Sequence, residues 1–240
     1  MTPLDIGRVR RAFPDRRVEY YSSIDSTMNA AAGLATGSLV VAEEQTAGQG
    51  RHGRAWHSEP GSGIYCSIAL ESKPALTLAL ALAARAAIAA AAAIECDIRW
   101  PNDLLLGGKK TAGILVQAAG DRAVAGIGIN VNHASFPPAL AQEATSLFLS
   151  GGGAVLSREE ILLALIPAID AHVQLDRETI LELFTMASSY VSGRRVAVQQ
   201  PEGPMEGVTA GLDPSGFLKV RRNDGSEALI LAGGVRAAGA

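Results

Sequence analysis

Three stretches of this chain combine residue types that bind anions and flat rings, at spacings that a tight loop or a strand can hold. The first is Gln45-Thr46-Ala47-Gly48-Gln49-Gly50-Arg51-His52-Gly53-Arg54-Ala55-Trp56. Its three glycines let the backbone approach a ligand closely. Arg51 and Arg54 set two guanidinium groups three residues apart, which suits phosphate oxygens. Trp56 offers a flat face to a nucleobase. Gly48, Gly50 and Gly53 also spell G-x-G-x-x-G, but a dinucleotide fingerprint must open a helix. His57-Ser58-Glu59-Pro60-Gly61-Ser62-Gly63 cannot continue one, so the Rossmann reading is set aside. A surface loop without a ligand is the plainer alternative.

The second stretch is Arg99-Trp100-Pro101-Asn102-Asp103, followed by Lys109-Lys110-Thr111-Ala112-Gly113-Ile114-Leu115. Pro101 forces Trp100 to be extended. A strand is therefore expected to end before Asn102 and Asp103, with their polar groups projecting from its end. Lys110 precedes an apolar strand, so its ammonium can point into a pocket, and Gly113 leaves room for a ligand against that strand. Gly108-Lys109 lacks the spacing and the hydroxyl residue of a Walker loop. A hairpin with exposed lysines would explain the same residues without a site. The third stretch, Gly126-Ile127-Gly128-Ile129-Asn130, puts two glycines in a strand and adds an amide able to donate and accept toward a base edge. By itself it is equally a glycine-rich strand.

Regular elements must hold these residues in place. Val18–Tyr21, Leu39–Glu43, Ile64–Leu70, Asp97–Trp100, Thr111–Ala118 and Ala123–Val131 read as strands. Ser26 and its neighbours can cap a helix from Met28 to Ala35, ended by Gly37. Ala75 to Ile94 is alanine-rich with Arg85 at its centre, which predicts a buried core helix rather than a membrane span. Ser157-Arg158-Glu159-Glu160 is a capping box opening a helix toward Val173, with a bend expected near Pro167. A further helix is expected from about Glu178 to Tyr190. Beyond Gly193 the pattern becomes β-rich, with segments at Arg195–Gln199, Gly207–Leu212, Phe217–Arg222 and Ala228–Leu231. Turn signals at Pro201-Glu202-Gly203-Pro204, Asp213-Pro214-Ser215-Gly216 and Asn223-Asp224-Gly225 separate them.

Composition narrows the classes. The chain has 240 residues and a formal net charge of -3, so nothing in the global balance points to nucleic acid or an anionic membrane. The arginines at 8, 10, 11, 16 and 17 read as a short solvated helix rather than a nucleic-acid arm. The opening residues lack the apolar core of a signal peptide. Cys66 and Cys96 sit in apolar surroundings without metal spacing, which fits small core residues in a reducing cytoplasm.

Taken in order, Asp25-Ser26-Thr27, the Gly/Arg loop with its tryptophan, the Trp-Pro-Asn-Asp segment with Lys110, and Gly-x-Gly-Ile-Asn resemble the catalytic domain of biotin–protein ligases. The resemblance is strongest from Val18 to Ala134 and runs more loosely to the C-terminus. It implies an α/β (α+β) fold, with a mixed β-sheet backed by helices in a class II synthetase-like catalytic domain over residues 1–191. A small SH3-like β-barrel over residues 192–240 would follow. It implies that Ser26, Thr27, Met28, Gln45, Gly113 and Leu115 bind biotin, under a loop formed by Gly48, Gln49, Gly50 and Arg51. Arg51, Arg54, Trp56, Asn102, Asp103 and Asn130 would serve ATP, and Lys110 would touch both the biotin carboxylate and the α-phosphate. Lys110, Arg51 and Asp103 are the expected catalytic set, Asp103 positioning or deprotonating the acceptor lysine.

The implied cofactors are ATP and Mg²⁺, with no metal ligands assigned. The implied acceptor is a biotin carboxyl carrier protein, and the chain is expected to be a monomer or a homodimer without nucleic-acid or membrane partners. Gln49 stands where the family often has arginine, and Met28 where asparagine is common. A lipoate or octanoate ligase on the same fold is the nearest rival. A DNA-binding repressor would need a helix-turn-helix before the first strand, for which this sequence has no room. A non-catalytic binding module would not need Lys110, Arg51 and Arg54 together.

Overall fold

The computed structural model describes residues 3–200, 203–231 and 233–238. The elements in chain order are α1 (Ile6–Ala12), β1 (Val18–Tyr21), α2 (Thr27–Ala31), β2 (Leu39–Ala42), β3 (Gly63–Glu71), α3 (Leu76–Ala92), β4 (Asp97–Arg99), β5 (Asp103–Leu106), β6 (Lys109–Ala119), β7 (Arg122–Asn130), α4 (Leu147–Ser150), α5 (Arg158–His172), α6 (Arg177–Ala187), β8 (Ser192–Gln200), β9 (Gly203–Leu212), β10 (Leu218–Arg222), β11 (Glu227–Ile230) and β12 (Val235–Ala237). A short 3-10 turn occupies Arg51–Gly53.

The strands form two sheets. The larger has the order β1-β2-β3-β7-β6-β5-β4. The β1–β2 pair is parallel and the remaining neighbours are antiparallel, so the sheet is mixed as expected. The period-2 alternation of strands sorts its side chains. Ile64, Cys66, Ile68 and Leu70 of β3 and Ala125, Ile127 and Ile129 of β7 join one core with α3 and α5. Ser67, Gly126 and Gly128 occupy the alternate positions and face the other way, toward α2 and Trp56.

Alanine at ten of the seventeen positions of α3 makes it a slim rod that packs closely against α5. Arg85 reaches past the helix end, donating to Cys96 O (2.8 Å) and pairing with Glu95 (2.5 Å). Among the described residues no helix is long and apolar enough to cross a membrane. The arginine-rich start forms α1, which buries Val9 and packs on α5.

Two expectations change. The helix at Ser26 ends at Ala31, not Ala35, with Ser26 Oγ accepting from Met28 N (3.3 Å). Strand β5 starts at Asp103 itself, paired with Arg99 of β4. Asp103 therefore belongs to the second strand of a hairpin and does not project from a strand's end.

The second sheet is antiparallel with order β11-β10-β9-β8-β12 and encloses Val196, Val198, Leu218, Val220, Ile230 and Val235. This is the small SH3-like unit, with β12 as a strand that the sequence pattern missed. Pro201 and Glu202 of the expected first turn lie outside the described residues. Trp100 Nε1 donates to Gly216 O (3.0 Å), fastening this unit to the β4–β5 hairpin.

One buried ion pair ties the N-terminus to the core. Arg158 Nη1 lies 2.8 Å from Glu43 Oε2 and also donates to Gly63 O (3.1 Å). Glu43 Oε1 accepts from Leu4 N (2.6 Å) and Tyr20 OH (3.1 Å). Removing one partner strands a buried charge, which costs about 3–5 kcal/mol. Arg158→Ala is expected to lose stability of that order in urea unfolding; a loss under about 1 kcal/mol would show that the Glu43 carboxylate finds water instead.

Candidate functional site

Two cavities meet at the Gly/Arg loop. A slot of about 40 Å³ is lined by Ser26, Thr27, Met28, Gln45, Gln49 and Leu115, over a floor of Gly113, Gly126 and Gly128. Those glycines are required by close approach. Gly113 and Gly128 are direct cross-strand partners. A Cβ on Gly128 would lie 2.7 Å from Trp56 Nε1, and one on Gly113 would lie 3.0 Å from Trp56 Cζ3. On Gly126 it would meet Met28 Sδ at 2.9 Å. The indole thus lies across the glycine pair, and Met28 fills the space over Gly126. A ring-sized ligand enters this slot only by displacing one or both. Trp56 Nε1 is buried without a hydrogen-bond partner, a donor available to a ligand.

Polar side chains knit the slot's edge. Gln45 Oε1 accepts from Thr27 N (2.9 Å) and Thr27 Oγ1 (3.0 Å), and Gln45 Nε2 donates to Ser58 Oγ (3.2 Å). Thr27 Oγ1 also meets Ser67 Oγ at 2.8 Å. Gln49 donates to Asn29 Oδ1 (3.2 Å) and accepts from Gln117 (3.3 Å). Gln49 therefore bridges α2 and β6 without adding charge. Gly48 does not line either cavity. It is buried where a Cβ would meet Trp56 O at 2.8 Å, so it lets the loop fold on itself.

The slot opens into a chamber of about 420 Å³ between the large sheet and the C-terminal unit. Arg51, Arg54, Arg99, Lys110 and Arg236 supply its positive charge; Asp103 and Glu143 are its carboxylates. Lys110 lines both cavities, as do Arg51, Trp56, Asn102 and Gly50. Lys110 Nζ lies 2.5 Å from Asp103 Oδ1 and 5.2 Å from the Trp56 ring centroid. Asp103 Oδ2 accepts from Arg99 Nη2 (2.7 Å). Burial opposes ionisation of Asp103, but Lys110 and Arg99 outweigh it, and its pKa is lowered. An aspartate so held is a poor proton acceptor near neutral pH, which favours positioning over deprotonation.

Asn102 uses both ends of its amide on the protein. Its Oδ1 accepts from Arg51 Nη1 (2.9 Å), and its Nδ2 donates to Ile114 O (2.8 Å). It aims Arg51 into the chamber. Burial lowers the pKa of Arg51, Asp103 opposes that and Arg54 adds to it; the group stays cationic. Asn130 is buried at the chamber wall and donates to Thr145 O (3.0 Å).

The sequence reading missed the segment after β7. Residues 143–145 add a bridge beside Lys110: its N donates to Glu143 O (2.8 Å), and Thr145 N donates to Lys110 O (2.9 Å). Phe136, Leu140, Glu143 and Ala144 then wall the chamber. Arg236 of β12 pairs with Glu143 at 2.6 and 3.0 Å across its mouth. Both side chains are half exposed, so this pair is worth at most about 1 kcal/mol. No local signal marks these residues; each acts only because distant strands meet.

A mixed sheet thus carries a glycine-floored slot that opens into a cationic chamber. Residues 20–133 match the Biotin/lipoate A/B protein ligase family, and residues 191–235 match the Biotin protein ligase C terminal domain. The chain is 35% identical to the bifunctional ligase/repressor BirA of Bacillus subtilis (strain 168), over 89% of this chain and 72% of that protein. It is 33% identical to the biotin–[acetyl-CoA-carboxylase] ligase of Paracoccus denitrificans, over 84% and 91% respectively. The solved biotin protein ligase from Aquifex aeolicus in complex with biotin and ATP is similar at a TM-score of 0.79 and 29% identity, covering 91% of this chain and 97% of that one. The chain belongs to the biotin/lipoate A/B protein ligase family and is a ligase.

Gly128→Ala tests the packing. The new methyl must push the Trp56 indole off the sheet. Acrylamide should then quench tryptophan fluorescence more strongly than in the parent. Unchanged quenching would show that Trp56 does not rest on the glycine pair.

Proposed function

We propose that the protein activates biotin with ATP and transfers it to a lysine of a biotin carboxyl carrier protein in the cytoplasm. The observation that carries this reading is the place of Lys110, on the shared wall of slot and chamber. A carboxylate leaving the slot and a phosphate entering from the chamber would meet at its ammonium. The names of the relatives, and the biotin and ATP bound by the Aquifex protein, point the same way. In this reading Ser26, Thr27, Met28, Gln45, Gly113 and Leu115 seat biotin, beneath a loop from Gly48 through Gln49 and Gly50 to Arg51. Arg54, Trp56, Asn102 and Asn130 take the nucleotide. Residues 1–191 form the catalytic unit and 192–240 the barrel that closes the chamber.

In the first step a biotin carboxylate oxygen bonds to the α-phosphorus, and the bond from that phosphorus to the bridging oxygen breaks. Pyrophosphate leaves and biotinyl-5′-AMP remains. Two anions must approach each other, and Lys110, Arg51 and Arg54 offset that repulsion in a partly enclosed site. Asp103 and Glu143 are the carboxylates lining the chamber, and the buried Asp103 Oδ1 is held only by the Lys110 ammonium. They fit Mg²⁺, which binds through one or two carboxylates together with substrate phosphates. When bound, it supplies further neutralisation of the phosphate charge.

In the second step the neutral carrier amine attacks the anhydride carbonyl, the bond from that carbon to the phosphate oxygen breaks, and AMP departs with the proton released from nitrogen. Lys110 turning from Asp103 toward the substrate frees Oδ1. That oxygen then holds the incoming nitrogen by hydrogen bonding. The loop excludes water from the anhydride.

The deciding experiment is pyrophosphate exchange with Mg-ATP and biotin, with lipoate and octanoate run alongside. Exchange with biotin alone is expected. Exchange only with the other acids would assign the lipoate branch of the same family, and no exchange would overturn the reading. Lys110→Ala should slow exchange about 10²–10³-fold with an unchanged circular dichroism spectrum. Near-normal exchange would remove Lys110 from the chemistry. Biotin with ATP should also slow tryptic cleavage after Arg51 and Arg54; equal cleavage rates would argue against loop closure.

A further inference from the structure

His57, Glu59 and His133 gather beside the chamber, outside the residues assigned to biotin or ATP. One donor atom from each lies within 4.8 Å of the other two. His133 is fully buried, and its Nδ1 has no hydrogen-bond partner. A buried nitrogen without a partner calls for a ligand.

The neighbouring bonds settle which form of the ring is present. Tyr65 OH lies 2.9 Å from Glu59 O and 3.1 Å from His133 Nε2. A phenol has one proton, and the carbonyl can only accept, so the hydroxyl donates to Glu59 O. Nε2 must then carry the ring proton and donate to the Tyr65 oxygen. That leaves Nδ1 as a lone pair, the state in which imidazole binds a metal. A ligating histidine almost always donates its other N–H to an oxygen, and Tyr65 fills that role here.

From this arrangement we infer that His57, Glu59 and His133 form a site for a divalent transition metal of the Zn²⁺ type. Two imidazoles and a carboxylate are a donor set that zinc takes, with a fourth position left for water. Zinc bonds of about 2.0–2.2 Å need donors closer together than 4.8 Å. His57 and Glu59 are half-buried on an irregular segment and can close that gap. Phe136 stacks on the His133 ring at 5.1 Å between centroids and holds its orientation. The bound ion would staple the segment just after the Gly/Arg loop to the chain just after β7. His57 also lines the chamber, so the staple would fix one wall of the nucleotide space. This site differs from the Mg²⁺ that accompanies ATP, since a hard cation prefers an all-oxygen shell.

The test uses the full chain stripped with a chelator, without ATP or biotin. Zn²⁺ is titrated against a chromophoric competitor, and Co²⁺ is added separately to read its visible absorption. One tight equivalent per chain is expected, not displaced by millimolar Mg²⁺. His57→Ala and Glu59→Gln should each weaken Zn²⁺ binding at least tenfold and change the Co²⁺ spectrum. Tyr65→Phe, which keeps the ring but removes the outer hydroxyl, should weaken it about 10–100-fold. His172→Ala, on α5, should leave it unchanged. The absence of a one-equivalent phase, or equal affinity in the parent and in both His57→Ala and Glu59→Gln, would overturn the assignment.

Discussion

A sheet covered on both faces leaves a ligand no room unless side chains are missing from one of them. Here the missing side chains are those of Gly113, Gly126 and Gly128, on the face turned away from α3 and α5. The first and last of these are cross-strand partners, so the hollow spans two strands. Trp56 and Met28 settle into it, and the loop that carries Trp56 is drawn down onto the sheet. The place of Arg51, the closure of the slot and its contact with the chamber all follow from that packing.

The charges are organised by the same geometry. The β4–β5 hairpin sets Asp103 opposite Arg99, and the neighbouring β6 strand brings Lys110 to its other oxygen. Two cations on one buried carboxylate keep it ionised. That carboxylate in turn holds the Lys110 ammonium at the wall between two cavities. In the proposed reaction substrate anions would compete with Asp103 for Lys110, which would couple the arrival of ligand to the release of an acceptor oxygen for the second step.

Much of the site was legible in the sequence because its parts lie in short contiguous motifs. Glycines in a strand signal close approach wherever they occur, and arginines in a glycine-rich loop signal anions. The hairpin turn was read one strand short, since the pattern did not show that the chain turns back at once to pair Asp103 with Arg99. Asn102 was read as a phosphate contact, and the sequence did not show that its amide also holds Arg51 and Ile114 O. Glu143, Arg236, His133 and Tyr65 carried no local signal. Each is an ordinary residue until a partner from about 70 to 90 positions away arrives beside it.

The sequence by itself determined the kinds of element and the chemistry available: the order of strands and helices, a β-rich tail, a glycine- and arginine-rich loop, and a lysine before an apolar strand. These follow from periodicity, turn residues and side-chain charge, which act over a few residues. The tertiary structure alone decided that Lys110 sits between two cavities, that Asp103 is pinned by two cations, and that Arg236 of β12 reaches Glu143 across the chamber mouth. It also decided that His133 loses water on all sides while one nitrogen stays unpaired. Burial, and electrostatics in a low-dielectric interior, depend on which distant segments exclude water from a group, and no window of sequence contains that information.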